Sequence, residues 1–378
     1  MTRRFGRTSW LATLALAAFA CGCSGGRTKS LADQTRASAG PGEFRIGVMT
    51  GAAARHPDEF RAGQQLAKQF GARVRHITYP DDYAQEQETI VAQLTGLAAD
   101  PDVRVIVVGQ AVPGAVDAAR RIRELRPDVL IGFVSPLEDA ALVNGACDLA
   151  VGVDEPARGR AIAAEAAAMG ARALVYYADP ADSSRAPLVR RGETMRIEAA
   201  KLGLPFETIT VPDGGAHAVE RFYDTDVPRA LATHGAATCF FGADRDADAA
   251  LLRAALEHGG YIAEGASPSP LAVADALGAD VAAEHADDAT FVADANRHAV
   301  AARGRAGHFG AWVAPPDQVA IVAVANLLVD AVEKGADYRD RATVLTYLRE
   351  QAGPVVRLRK FDEASGNQYY MTLEHVVY

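Results

Sequence analysis

The sequence predicts an α/β fold of two successive lobes, each a parallel sheet flanked by helices, joined by a hinge. The first observation is periodicity: from Phe44 onward, short β-branched runs alternate with longer amphipathic runs, at about 25 to 30 residues per unit, as successive βα crossovers require. The second is punctuation, since Pro, Gly and Asp mark the boundaries between the runs. The third is length. A chain of 378 residues, 49% hydrophobic and 23% charged, has room for two or three cores.

Residues 45–49 (RIGVM) read as the first strand, and Pro57 sits where the first helical turn accepts a proline, with Gly71 closing that helix. Residues 73–78 form the second strand. Asp82 is placed to cap a helix over 83–99, residues 103–108 make an apolar third strand, and Pro113 opens a helix that Pro127 stops. The fourth strand covers 129–134. After 149–153, Asp154-Glu155-Pro156 supplies an N-cap with proline in the first turn, and the helix runs to Gly170. Strands follow at 173–177, 206–211, 238–241 and 261–263, with helices between them closing at Gly203, Gly235 and Gly259, and with Pro228 restarting a short one. A helix over 287–303, an apolar segment at 308–313 and a helix over 316–334 come next. The last stretch is β-rich at 355–361 and 368–377, joined by a hairpin-like turn, DEASGN.

The first residues read differently. Arg3, Arg4 and Arg7 precede an apolar run over 11–20 and then Cys21-Gly22-Cys23-Ser24, the layout of a secretory signal too short to span a bilayer as a helix. Cysteine after small residues at this point resembles a bacterial lipoprotein signal. Residues 1–22 are then the signal peptide, with Cys23 the lipidated residue, or Cys21 if cleavage falls earlier. Residues 23–43 are small, polar and without period, as a tether is. The expected location is the periplasm, anchored to a bacterial membrane by the N-terminal lipid. Loss of the signal moves the net charge from −9 to −12, because three Arg leave and no acid does. No basic excess remains, so nucleic acid is excluded as a partner. Cys147 and Cys239 sit beside apolar strand residues and are read as buried free thiols.

Chemistry-bearing motifs are absent: the sequence has no G-x-S-x-G elbow, no H-E-x-x-H helix, no phosphate loop and no G-x-G-x-x-G opening the first helix. The nine histidines are scattered without ligand spacing, so neither a metal nor a cofactor is expected. The informative segments are the loops after the strands, because ligands of open parallel sheets bind outside the carboxyl ends of the strands. These loops nominate Thr50, Asp82, Gln110, Glu138, Asp154, Asp244 and Ser267 as ligand-binding residues. Capping competes as an explanation for the acids and hydroxyls. Gln110 is the exception, standing where a cap would be Ser or Asp. Tyr177, His308 and Trp312 complete the set, the two aromatic rings as flat faces for a ligand ring.

A resemblance follows from particular segments: 44–51 (FRIGVMTG), 76–81 (HITYPD) with 87–89 (QET), 99–102 (ADPD), 110–114 (QAVPG), 154–159 (DEPARG) and 267–270 (SPSP). Together they resemble an uncharacterised family of bacterial lipoproteins with a type I periplasmic-binding-protein fold. More distantly, the chain is similar to the basic membrane lipoprotein and purine-nucleoside-receptor group and to ABC sugar-binding proteins. The resemblance implies two Rossmann-like lobes, hinge crossings near residues 153, 308 and 353, and ligand capture by closure. It divides the chain into an N-terminal lobe of 44–153 plus 308–352 and a C-terminal lobe of 154–307 plus 353–378. The expected function is a lipid-anchored solute-binding protein that delivers a small molecule to an ABC permease. The alternatives are a ligand-sensing or scaffold lipoprotein without transport, and an exported hydrolase or isomerase.

Overall fold

The computed structural model describes residues 44–378 apart from 244, 246 and 363–365. The signal, the tether, Cys21 and Cys23, and the candidate ligand residue Asp244 lie outside the described residues. Among the described residues, no helix is long and apolar enough to cross a membrane.

The first lobe is a seven-stranded sheet. Five strands alternate with helices in chain order: β1 (Arg45–Thr50), α1 (Pro57–Phe70), β2 (Val74–Thr78), α2 (Gln87–Ala98), β3 (Val103–Val108), α3 (Ala115–Leu125), β4 (Leu130–Val134), α4 (Ala140–Ala146) and β5 (Leu149–Val153). The spatial order is β10-β11-β5-β4-β3-β1-β2, where β10 (Arg357–Lys360) and β11 (Gln368–Thr372) come from the end of the chain. β11 runs parallel to β5, and β10 antiparallel to β11. Strand alternation serves two faces. Val105 and Val107 of β3 pack against α1 and α11 (Pro316–Lys334), while Ile106 and Val108 pack against α2 and α3. Helix α12 (Arg341–Ala352) joins the first of these layers through Val344 and Leu348.

The second lobe begins at α5 (Glu155–Met169) and continues through β6 (Ala173–Ala178), α6 (Ala186–Lys201), β7 (Phe206–Thr210), α7 (Ala216–His234), β8 (Thr238–Gly242), α8 (Asp248–His258), α9 (Pro270–Leu277), α10 (Ala289–Ala301) and β9 (Gly310–Trp312). Its parallel core, β7-β6-β8, extends through single bridges from Cys239 to Tyr261 and from Ile262 to Phe309. β12 (His375–Val377) pairs antiparallel with β9. On β6, Leu174 and Tyr176 face α5 and α6, whereas Val175 and Tyr177 face α7 and α8.

Several expected boundaries move. Residues 353–378 were expected in one lobe, but hydrogen bonding divides them: β10 and β11 extend the first sheet and β12 the second. Residues 308–312 likewise belong with the second sheet, through β9. The chain therefore crosses between lobes at 153–155, 313–315 and 373–374. Helix α7 passes through Pro228 without a break, and α2 starts at Gln87 because residues 81–85 form a turn.

Candidate functional site

Parallel strands bring their carboxyl ends to one edge of each sheet, and these edges meet across the gap between the lobes. In the first lobe, the residues after β1, β3 and β4 include two in the left-handed region, Gln110 at φ 47° and Ser135 at φ 44°. Non-glycine residues held there cost on the order of 1 kcal/mol or more and cluster at binding sites. Beneath them lies Glu59, in the first turn of α1 and 1% exposed. Its Oε2 accepts from the Gly51 amide at 2.9 Å and from the Tyr79 hydroxyl at 3.0 Å. Oε1 accepts no hydrogen bond, and His56 Nδ1 stands 3.5 Å from it. Gly109 makes room for this carboxyl, since a Cβ there would lie 2.9 Å from Glu59 Oε2. Burial, reinforced by the neighbouring charge of Asp317, pushes Glu59 up to about 8.

Asp317, in the first turn of α11, accepts from Ser135 Oγ at 2.7 Å. Across the gap, Arg245 of the second lobe approaches Asp317 Oδ2 at 3.7 Å and leaves 40% of its side chain exposed. Asp58 pairs with Arg61 and lies beside Ser269 of the second lobe; burial raises its pKa. A second polar bridge joins Gln318 Nε2 to Asp287 Oδ1 at 3.2 Å. The gap thus holds Asp58, Glu59, Asp317, Arg61, Arg245 and Gln110, all polar and drawn from both lobes. Such an arrangement suits a polar small molecule held by several convergent hydrogen bonds.

A buried network underlies the three crossings. Glu264, 0% exposed, accepts from Arg158 Nε, from Trp312 Nε1 at 2.8 Å and from His375 Nε2. Arg158 follows the first crossing, Trp312 precedes the second and His375 follows the third. Arg158 also donates to the carbonyls of Gly265 and Ala266 at 2.8 and 2.9 Å. The amides of Ala266 and Ser267 donate to Asp248 at 2.9 and 3.1 Å; burial still raises the Asp248 carboxyl to about 6.

The expected site residues separate into groups. Gln110 lies at the gap, its Oε1 3.4 Å from the Tyr79 hydroxyl, whereas Thr50 is 0% exposed and its hydroxyl is occupied within the first lobe by His76 Nε2 at 2.7 Å and the Gly51 carbonyl at 3.1 Å. Ser267 lies at the crossing network, and so does Trp312, whose ring was expected as a flat face for a ligand but is 0% exposed and packed in the first lobe's core. Glu138 caps α3 through Val116 N at 2.8 Å. Asp154 caps α5 through Ala157 N at 3.1 Å and pairs with Arg359. Asp82 is exposed and does not cap α2; its carbonyl closes the preceding turn. Two placements depart further from expectation. Tyr177 is 0% exposed, points into the α7–α8 layer and donates to Asp226 at 3.0 Å. His308 stacks on Tyr261 at 4.1 Å before β9 begins, at the opposite end of that strand from the gap.

Glu59, Asp317, Arg158 and Glu264 were not anticipated. An acid in a first helical turn reads as a favourable dipole partner, which conceals Glu59 and Asp317. Glu264 had one visible signal, a lone acid directly after the apolar run 261–263.

Comparison with known proteins gives the wider setting. A relative from Treponema pallidum (strain Nichols), described as an uncharacterized protein, is 31% identical over 203 residues, covering 52% of this chain and 90% of that protein. A solved structure of a candidate transcriptional regulator from Clostridium difficile 630 matches with a TM-score of 0.76 at 21% identity, over 89% of this chain and 99% of that one. A sugar ABC transporter structure from Actinomyces odontolyticus ATCC 17982 matches with a TM-score of 0.52 at 12% identity, over 80% and 88%. At these identities the structures share the fold, that of the type I periplasmic binding proteins. The family model described as "Protein of unknown function (DUF3798)" matches residues 44–310, and the chain therefore belongs to the DUF3798 family.

Proposed function

We propose that this protein is a lipid-anchored periplasmic solute-binding protein, which captures a small polar molecule between its lobes and presents it to an ABC importer. The observation that carries the reading is the gap itself. Buried or half-buried polar groups of both lobes converge there, around Glu59, Asp317 and Arg245, at the strand ends where this fold class binds ligands. Three chain crossings allow the lobes to rotate while the strand ends stay opposed. The signal-like first residues and the solved transporter relative are consistent with anchoring and import.

Ligand-dependent thermal stabilisation across a metabolite panel tests capture. A ligand at 100 times its Kd adds about 2.7 kcal/mol. No shift with any compound, together with no small molecule retained in native mass spectrometry, contradicts capture. Labelling with radioactive palmitate, lost on replacing both Cys21 and Cys23 by Ser, tests anchoring.

A further inference from the structure

We propose that the molecule captured between the lobes carries a protonated amine, and that Glu59 is its counter-charge. This deepens the solute-capture reading and rests on it. The argument starts from a charge inventory of the gap. Three carboxyl groups enter from the first lobe: Asp58 and Glu59 from the first turn of α1, and Asp317 from the first turn of α11. Arg61 is paired with Asp58. Arg245 faces Asp317 at 3.7 Å. Among the described residues, no arginine or lysine forms an ion pair with Glu59, and its nearest cationisable group is His56, 3.5 Å from Oε1.

Hydrogen bonding points the same way. Glu59 Oε2 is satisfied twice, by Gly51 N and Tyr79 Oη, whereas Oε1 is buried and accepts nothing. A buried carboxyl oxygen without a hydrogen-bond partner costs about 1–3 kcal/mol, whether it holds the acid's proton or a free lone pair. A ligand ammonium set against Oε1 replaces that unpartnered group with a charge-assisted hydrogen bond, and its positive charge offsets the repulsion from Asp317 that Glu59 meets on ionising. A hydroxyl would supply the hydrogen bond but not the charge.

The unliganded site keeps Glu59 protonated at neutral pH, since burial and Asp317 favour the neutral acid. Among the described residues, the groups facing Glu59 are His56, Tyr79, Asp317 and Arg245. An ammonium bound against Oε1 favours the carboxylate, so binding at pH 7 displaces the Glu59 proton to solvent. Proton release is a signature that a neutral ligand would not give.

The test is titration calorimetry of the full chain in detergent at pH 7, in phosphate and in Tris, whose ionisation enthalpies differ. The probes are putrescine, ethanolamine and L-lysine as amines, and ribose and myo-inositol as neutral polyols. The expected result is saturable binding of at least one amine with proton release, no proton release in Glu59→Gln, and affinity at least tenfold lower in that variant. An amine that binds without proton release, or equally well to Glu59→Gln, overturns the proposal. Binding of ribose or myo-inositol alone also overturns it while leaving solute capture standing. Binding of none of the five overturns it and counts against capture as well. A Glu59→Gln melting temperature within 3 °C of the parent shows that the variant is folded.

Discussion

Glu264→Gln isolates the charge at the centre of the crossing network while keeping its shape. In the parent, Glu264 is wholly buried and is the nearest counter-ion of Arg158, itself 1% exposed. Neutralising one partner of a buried pair costs about 3–5 kcal/mol, most of it the penalty of the stranded charge. Arg158 keeps the carbonyls of Gly265 and Ala266 and a longer contact of 3.5 Å to Glu155, which puts the expected loss at the lower end, about 3 kcal/mol. Titration gives a similar size. Burial alone would raise the Glu264 pKa, but Arg158 and the hydrogen bond from His375 outweigh burial and hold it at about 2, against 4.5 for a free glutamate. That difference also corresponds to about 3 kcal/mol. The folded pKa is depressed, so the stabilisation is complete above the unfolded value and is lost as pH falls toward 2. The assay is urea unfolding of parent and variant at pH 7 and pH 3, followed by tryptophan emission. The sequence holds 2 tryptophans, and a chain begun at residue 24 keeps only Trp312, which reports on this network. A difference below about 1 kcal/mol at pH 7, or one that does not shrink in acid, would refute the reasoning.

Three further outcomes are expected. Tyr177→Phe should cost about 1 kcal/mol through the lost hydrogen bond to Asp226 and leave ligand affinity unchanged; a tenfold affinity loss would return Tyr177 to the binding site. Gly159→Ala should destabilise by about 2 kcal/mol or more, because its Cβ would stand 2.2 Å from the Arg191 carbonyl where α5 and α6 meet; chemical unfolding checks it. Cys147 and Cys239 are buried, and burial pushes both thiols up to about 12. In a chain begun at residue 24, a thiol reagent at pH 8 should modify neither until denaturant is added, and prompt reaction of either would contradict that burial.

The alternation of strands and helices was legible because each unit is local: a β-branched run, a turn residue and an amphipathic run declare themselves within 30 residues or so. What the sequence concealed was mostly non-local. The strands β10 and β11 are recognisable from their residues, but nothing in those residues says that β11 pairs with β5 and not with the second sheet. The site divides in the same way. Gln110 was singled out because its residue type suited the loop and not a cap, and the structure holds it at φ 47° just past the end of β3. Glu138 and Asp154 looked identical to ligand residues, yet their carboxylates are occupied by helix amides. Tyr177 ends a strand next to the gap, but side chains alternate along β6, and its register turns the ring into the core. Arg158 and Glu264 form a pair only across 106 positions of sequence.

The division of the terminal strands between the sheets constrains the order in which the protein can fold. β5 has only β4 beside it until β11 exists, with Gln368 set against Ala150, and β9 lacks its strand partner until His375 meets Trp312. Neither lobe, although each has its own core, is a unit that can be finished before residues 357–377 are in place. Contacts of such long sequence separation form late and slowly. A chain stopped before residue 357 would expose two open sheet edges and leave Glu264 short of its His375 donor. Completion of both lobes thereby depends on one short stretch, residues 357–377, which serves two sheets at once.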